Sequence, residues 1–401
     1  MDVTRIRRDF PLLTAESPLI YFDNACATLK PESVLAAMDA YNREFPTCGG
    51  RSINRLGERV TAEVQKAREQ VRQFINAKQT EEIVFVRNTT EGLNLLAHTV
   101  ALQPGDTILL TDKEHNSNLV PWQLAAARTG AVVQTVSTHE DGTFDLVAYQ
   151  TALQSGSVKV VAMGLVSNLD GVAIPGAEVV RLAHEHDALV IFDAAQAAPH
   201  QSLDVQALGV DFLVFSGHKL CGPSGTGVVY GRHDLLATWP PFIAGGSTVA
   251  STTYTDHELL ASPERFEGGT QDYAGIIGLG AAVEYISKLG LPAIAAHETA
   301  LNQYATAALS ELPEVTVIGP DATQRGGIVS FYVGGIDIHQ IAITLDRSSD
   351  VMVRSGQHCV HSWFTARNIY GSVRVSFYVY NTTTEIDQFV TGLRDVIAVY
   401  S

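Results

Sequence analysis

The chain has 401 residues, enough for two or three domains, and 46% of them are apolar, ample for large cores. With 27 basic against 43 acidic residues, a net charge of −16, a pI near 5.2 and no basic cluster, nucleic acid and anionic membrane are poor partners. Four cysteines (Cys26, Cys48, Cys221, Cys359) are too few for a disulfide framework, and no signal peptide or membrane span is recognisable, so a reducing, cytoplasmic setting is expected.

Between Glu82 and Arg232 apolar runs alternate with helical patterns. Strands are predicted over 83–85, 107–110, 131–136, 158–166, 188–192, 211–215 and 228–230, and helices over 90–99, 117–128, 146–153 and 176–186. That alternation predicts an α/β fold with a mostly parallel sheet, helices on both faces, and ligands at the C-terminal ends of the strands. After Gly269 the texture changes: helices over 273–288 and 292–312, short strands over 315–318, 327–333, 351–354 and 373–377, then a helix over 384–400. The expected division is an N-terminal segment (1–20) packing near the small domain, a large domain (21–285) and a smaller C-terminal α+β domain (286–401).

The most pointed stretch is Val214-Phe215-Ser216-Gly217-His218-Lys219. A lysine at the end of a buried strand loses solvation and becomes nucleophilic, as a Schiff-base lysine must. A surface lysine in a turn is the ordinary alternative, so the rest of the chain has to supply a matching pocket. Asp193 ends the strand before it and would either cap the next helix or face a ligand. In the second role it would pair with the ring nitrogen of pyridoxal 5′-phosphate. Asn88-Thr89-Thr90-Glu91-Gly92 opens a helix, either as an ordinary capping box or as an anion site to which Ser216 and His218 would add donors. His115 follows another strand and would be a cap or surface residue, or would stack on the ring and shuttle protons. Asn168 would donate to the cofactor phenolate or simply sit in a turn. No metal site is expected.

Taken in order, Tyr21-Phe22-Asp23-Asn24-Ala25, Thr89-Thr90-Glu91-Gly92, Glu114-His115 with Pro121-Trp122, Val166-Ser167-Asn168, Asp193-Ala194-Ala195-Gln196, Ser216-Gly217-His218-Lys219, Phe266-Glu267-Gly268-Gly269-Thr270 and Arg354-Ser355-Gly356-Gln357-His358-Cys359 run nearly end to end. The set resembles the class V aminotransferase branch of the fold-type I pyridoxal-phosphate enzymes, and within it the group II cysteine desulfurases of the sulfur-mobilisation type. The resemblance implies that Lys219 binds the cofactor covalently, that Asp193 meets its ring nitrogen, that Gln196 and Asn168 flank the phenolate, and that His115 stacks on the ring. It implies that Thr90, beside Thr89, holds the phosphate with Ser216 and His218, and that Thr270 reaches it from a partner subunit, hence a homodimer with shared sites. Arg354 would bind the substrate carboxylate of L-cysteine. Cys359 would attack the substrate sulfur and keep it as a persulfide, for a sulfur-acceptor protein or an iron–sulfur scaffold. Selenocysteine lyase, cysteine or cystine lyase and other activities of the same branch are the alternatives.

The chain departs from relatives at Val360-His361-Ser362-Trp363, and at Gly50 and Asn54, where those relatives carry histidines while Arg51 is kept. Arg51 belongs to a segment expected to line the partner's site and to contact substrate. Cys221 stands where a tyrosine is expected and should pack in the lysine loop. Cys26 and Cys48 fall in segments expected near the site, as inert thiols or as recipients of sulfur from Cys359.

Overall fold

The computed structural model describes residues 1–14, 19–50 and 52–400. Seven apolar runs form one sheet: β1 (Ile83–Val86), β2 (Thr107–Thr111), β3 (Val132–Val136), β4 (Val158–Gly164), β5 (Leu189–Asp193), β6 (Phe212–Ser216) and β7 (Gly227–Gly231). Their spatial order is β1-β7-β6-β5-β4-β2-β3. β7 is antiparallel to both of its neighbours, and the other six strands point one way. Side chains alternate across β6, with Leu213 and Phe215 entering one core cluster and Phe212 and Val214 another. Apolar residues on both faces need cover on both faces, which explains the unbroken hydrophobic runs. Helices Thr89–Thr99 and Val120–Thr129 cover one face through Leu93, Leu96 and Trp122. Helices Gly176–His184 and Tyr273–Leu289 cover the other through Val179, Val180, Leu279 and Val283.

A second, antiparallel sheet holds β8 (Val315–Ile318), β9 (Ile328–Val333), β10 (Arg354–Gly356) and β11 (Ser372–Ser376) in the order β8-β9-β11-β10. Helices Leu291–Ser310, Ile338–Ser349 and Thr383–Tyr400 enclose its core around Val329, Phe331, Val373 and Val375. Near the N-terminus, Arg7 donates to Tyr380 O at 2.7 Å and pairs with Glu385 at 2.6 Å, while Phe10 packs edge-on against Tyr285 and Tyr380.

Several element boundaries differ from those predicted. The strand expected over 351–354 is two pieces: Val351–Met352 pairs in parallel with Ile20–Tyr21, and only from Arg354 does the chain join the second sheet. β4 stops at Gly164, two residues early, and the helix expected from 117 begins as a 3₁₀ turn, Asn116–Asn118, before Val120–Thr129. Pro121 explains that start, because a residue without an N–H fits the first turn of a helix. Helices Glu32–Glu44 and Arg55–Phe74 and the hairpin Val249–Thr252/His257–Leu259 were not anticipated. No single helix among the described residues is long and apolar enough to cross a membrane.

Candidate active site

The site lies where the parallel strands end. Asp193 closes β5 and pairs in register with Val214 of β6, two residues before that strand ends at Ser216. The chain then turns through the 3₁₀ segment Gly217–Lys219. A Cβ on Gly217 would collide with the Thr226 hydroxyl, so this tight turn requires glycine. The half-buried Lys219 makes no hydrogen bond or ion pair through its ammonium among the described residues. Burial pushes its pKa below the usual lysine range, against the pull of Asp193. Burial likewise pushes the Asp193 carboxyl up, opposed by Lys219 and by the Ala195 N–H, which reaches Oδ1 at 2.8 Å. Asp193 Oδ2 accepts no hydrogen bond among the described residues.

Beside this pair is an anion cradle. Asn88 caps helix Thr89–Thr99 by accepting the Glu91 N–H at 2.9 Å. The Thr89 N–H donates to Ser216 Oγ at 2.8 Å, the Thr89 and Ser216 hydroxyls lie 2.7 Å apart, and the Thr90 hydroxyl meets that of Ser117 at 2.8 Å. The close approach depends on Gly227, where a Cβ would sit 2.7 Å from Asn88 Cα. Hydroxyls and backbone donors at a helix N-terminus favour an anionic group. His218 faces the same space, and burial holds its imidazole down to about 4.

His115 follows β2. Its Nδ1 accepts the Ser117 N–H at 3.0 Å, which leaves the proton on Nε2. Burial, aided by the Lys219 and Arg374 charges, lowers its pKa to about 3, so it is neutral at physiological pH. Its neighbour Glu114 accepts from the Thr111 hydroxyl at 2.6 Å and from Asn118 at 2.7 Å, yet burial still pushes its carboxyl up to about 7. Glu114 also accepts the Gly164 N–H, and so ties β2 to the end of β4.

The opposite wall comes from the second sheet. Arg354 opens β10 and Cys359 follows on a short loop, with His358 at φ 48° and Cys359 at φ 59°. Consecutive non-glycine residues in left-handed backbone are strained, and such strain gathers at functional positions. The loop is pinned from the first sheet's side. Asn116 N–H donates to Cys359 O at 2.7 Å, Asn168 Nδ2 to His358 O at 2.7 Å, and Asn116 Nδ2 lies 2.8 Å from His361 Nδ1. From its own sheet, His358 Nε2 meets the Ser372 hydroxyl at 2.8 Å.

One cavity of about 260 Å³ brings together Thr89, Thr90, His115, Asn168, Asp193, Gln196, Ser216, His218, Lys219, Arg354 and Cys359. Thr270 lies outside it and lines a second cavity of about 390 Å³ with Phe242 and Ile243. Arg51 is outside the described residues. Cys26 lines the first cavity, Cys48 is exposed outside it, and Cys221 is fully buried behind the lysine turn.

Arg374 was not anticipated. It is buried at mid-β11, lines the cavity, donates to Asn168 O at 3.0 Å and lies 3.4 Å from Asp23. The available signal was the alternation Ser372-Val373-Arg374-Val375-Ser376, which places an arginine on a face of small polar residues.

An α/β protein with a half-buried lysine, a buried carboxylate and a helix-capped anion cradle at the strand ends is built to hold a phosphorylated ring cofactor. The chain belongs to the aminotransferase class-V family, whose model matches residues 20–389. It is 41% identical to the cysteine desulfurase of Enterobacter sp. (strain 638) over 98% of each chain. Among solved structures, the apo cysteine desulfurase of Thermococcus onnurineus NA1 is 37% identical with a TM-score of 0.94, over 99% of this chain and 98% of that one. The cysteine desulfurase CsdA of Escherichia coli, in its S-sulfonic acid form, is 31% identical with a TM-score of 0.93 over the whole of both chains.

Proposed function

We propose that this chain is a pyridoxal-phosphate-dependent cysteine desulfurase that converts L-cysteine to L-alanine and leaves the sulfur as a persulfide on Cys359. The observation that carries the reading is the convergence of Lys219, Asp193, Arg354 and Cys359, from two sheets, on one cavity.

The residues fit the cofactor. Gln196 donates one Nε2 hydrogen to Ala25 O at 2.7 Å and has a second for an acceptor edge such as the phenolate, while its buried Oε1 has no partner among the described residues. Lys219 Nζ and Asp193 Oδ2 likewise make no hydrogen bond among the described residues. Lys219 would hold the ring covalently, Asp193 would meet its nitrogen, His115 its face, and Gln196 and Asn168 its phenolate edge. Asn168 spends one amide N–H on His358 O and keeps a second for the ligand. Thr89, Thr90, Ser216 and His218 would hold the phosphate. When bound, the cofactor supplies an electron sink for charge developing on the substrate carbon.

The chain supplies the rest. Arg354 and Arg374 present guanidinium forks to the substrate carboxylate. Lys219 at Nζ and neutral His115 at Nε2 hold and move protons. The Cys359 thiolate attacks the substrate sulfur, so that an S–S bond forms as the C–S bond breaks. The three-carbon fragment takes up a proton and leaves as alanine, and no outside oxidant is needed.

The proposed setting is a cytoplasmic homodimer in which Thr270 reaches the partner's site and Arg51 contacts the substrate there. A sulfur-acceptor protein or iron–sulfur scaffold would take the persulfide. Four unpaired thiols and an exposed apolar pair, Phe242 and Ile243, beside Thr270 support this reading. Borohydride reduction tests the cofactor assignment. The visible absorbance should bleach and a pyridoxyl group should appear on the peptide carrying Lys219. A pyridoxyl group elsewhere, or none, contradicts it.

A further inference from the structure

We propose that Cys26 is a second sulfur carrier, which takes the sulfane sulfur from Cys359 within the same cavity. The proposal rests on the desulfurase reading above. Of the four cysteines, only Cys26 and Cys359 line this cavity, and both are half-buried. The Cys26 thiol accepts an N–H from Arg354 Nη1 at 3.2 Å. The Arg354 guanidinium and the Lys219 ammonium each interact electrostatically with both sulfurs. The two thiols thus share one cationic environment. Cys221 has no such access, since it is fully buried and outside the cavity lining, and that burial pushes its thiol up to about 12.

The turn that carries Cys26 is as firmly held as the loop that carries Cys359. The Cys26 N–H donates to Asp23 O at 3.1 Å, the Ala25 N–H to Ser376 Oγ at 2.9 Å, and Asn24 Nδ2 to Ser376 O at 2.6 Å. Ser376 ends β11, the strand that pairs with β10 immediately before Cys359. Both thiols therefore flank one sheet, the Cys26 turn held by Ser376 at the end of β11 and Cys359 just beyond β10, and both line one cavity.

The exchange is balanced. The Cys26 thiolate attacks the outer sulfur of the Cys359 persulfide, and a new S–S bond forms at Cys26 as the bond to Cys359 Sγ breaks. The electron pair leaves on Cys359, which takes the proton that Cys26 gave up. Nothing is oxidised or reduced overall. Cys359 is then free for a second substrate while the first sulfur waits on Cys26, so one protomer stores two sulfurs.

The test is a rapid-quench experiment on the holoenzyme with L-cysteine and no added reductant, scoring alanine and mapping persulfide by alkylation and peptide mass. We expect a sulfur increment on both the Cys26 and the Cys359 peptides, with an alanine burst of about two equivalents per protomer. Cys26→Ser and Cys26→Ala, checked for folding by their cofactor absorbance, should reduce the burst to about one equivalent and leave sulfur on Cys359 alone. Cys359→Ser should carry sulfur on neither peptide. Sulfur confined to Cys359 in the native protein, Cys26 labelled in the Cys359→Ser variant, or a Cys26–Cys359 disulfide with released sulfide would each overturn the proposal. Absence of alanine altogether would instead overturn the desulfurase reading beneath it.

Discussion

Asn168 donates through Nδ2 to the carbonyl of His358 at 2.7 Å, and so ties the turn after β4 to the residue that precedes Cys359. Arg374 in turn donates to Asn168 O at 3.0 Å. The Cys359 loop is thus positioned by the first sheet although it follows a strand of the second. Removing the amide frees that loop, and misplacing a reacting group by an ångström can cost roughly a hundredfold in rate. For Asn168→Ala we expect alanine formation to fall by about 10- to 100-fold while the protein remains folded. Steady-state assay with a thermal melt decides this, and an unchanged rate would contradict the role.

Arg374 is buried beside Asp23 and lines the cavity. A guanidinium hydrogen bond to a carboxylate contributes about 1.5–3 kcal/mol, equivalent to roughly a 10- to 150-fold rise in KM for L-cysteine in Arg374→Met. Arg374→Lys should recover only part of it, because an ammonium lacks the planar fork. A fall in kcat with KM unchanged would assign Arg374 a positioning role instead.

Ser216 accepts the Thr89 N–H and meets the Thr89 hydroxyl, joining the end of β6 to the anion cradle. Ser216→Ala removes a buried acceptor and, in the proposed reading, a donor to the phosphate. A loss of about 1–2 kcal/mol corresponds to roughly a 5- to 30-fold weaker affinity for pyridoxal phosphate. Spectral titration of the cofactor-free protein measures it, and unaltered affinity would remove Ser216 from the cradle.

Buried histidines and carboxyls make stability depend on pH. Burial holds His115 to about 3, His218 to about 4 and His358 to about 2, all below the 6.5 of a free imidazole. As pH falls through 6.5 the unfolded chain gains protons that the folded chain refuses, so the stability present above that pH is lost on acidification. Glu114 acts in the opposite sense, because the folded chain protonates it at about 7 and the unfolded chain only near 4.5. Asp193 and Glu298, whose carboxyls burial also pushes up, act with Glu114, while burial lowers His297 as it does the other three; four histidines against three carboxyls leave a net loss. The urea midpoint of the cofactor-free protein should therefore be lower at pH 5 than at pH 7, and an equal or higher midpoint would contradict this.

Much of this site was legible because each residue ends an apolar run. Asp193, Ser216, His115 and Asn168 follow strands whose unbroken hydrophobicity marks them as buried on both faces, and a parallel sheet gathers such ends on one edge. Arg354 and Cys359 were legible only through the resemblance of their six-residue stretch to known enzymes. Arg374 was hidden because its significance depends on Asp23, 351 residues away in the chain. The split at Val353 was hidden for a similar reason. Val351–Met352 takes Ile20–Tyr21 as its partner, and no local pattern announces a pairing with the N-terminus. Asn116 holds Cys359 through a backbone N–H, a contact independent of side-chain type and so invisible to motif reading.

The most direct measurement of the central claim is product analysis with L-cysteine for the native holoenzyme and Cys359→Ser. The native protein should form alanine and carry a persulfide on Cys359. The variant should keep the cofactor's visible absorbance and lose alanine formation by about a thousandfold or more, as removal of a covalent nucleophile does. Alanine formation surviving in Cys359→Ser, or pyruvate and ammonia as the native products, would contradict the account.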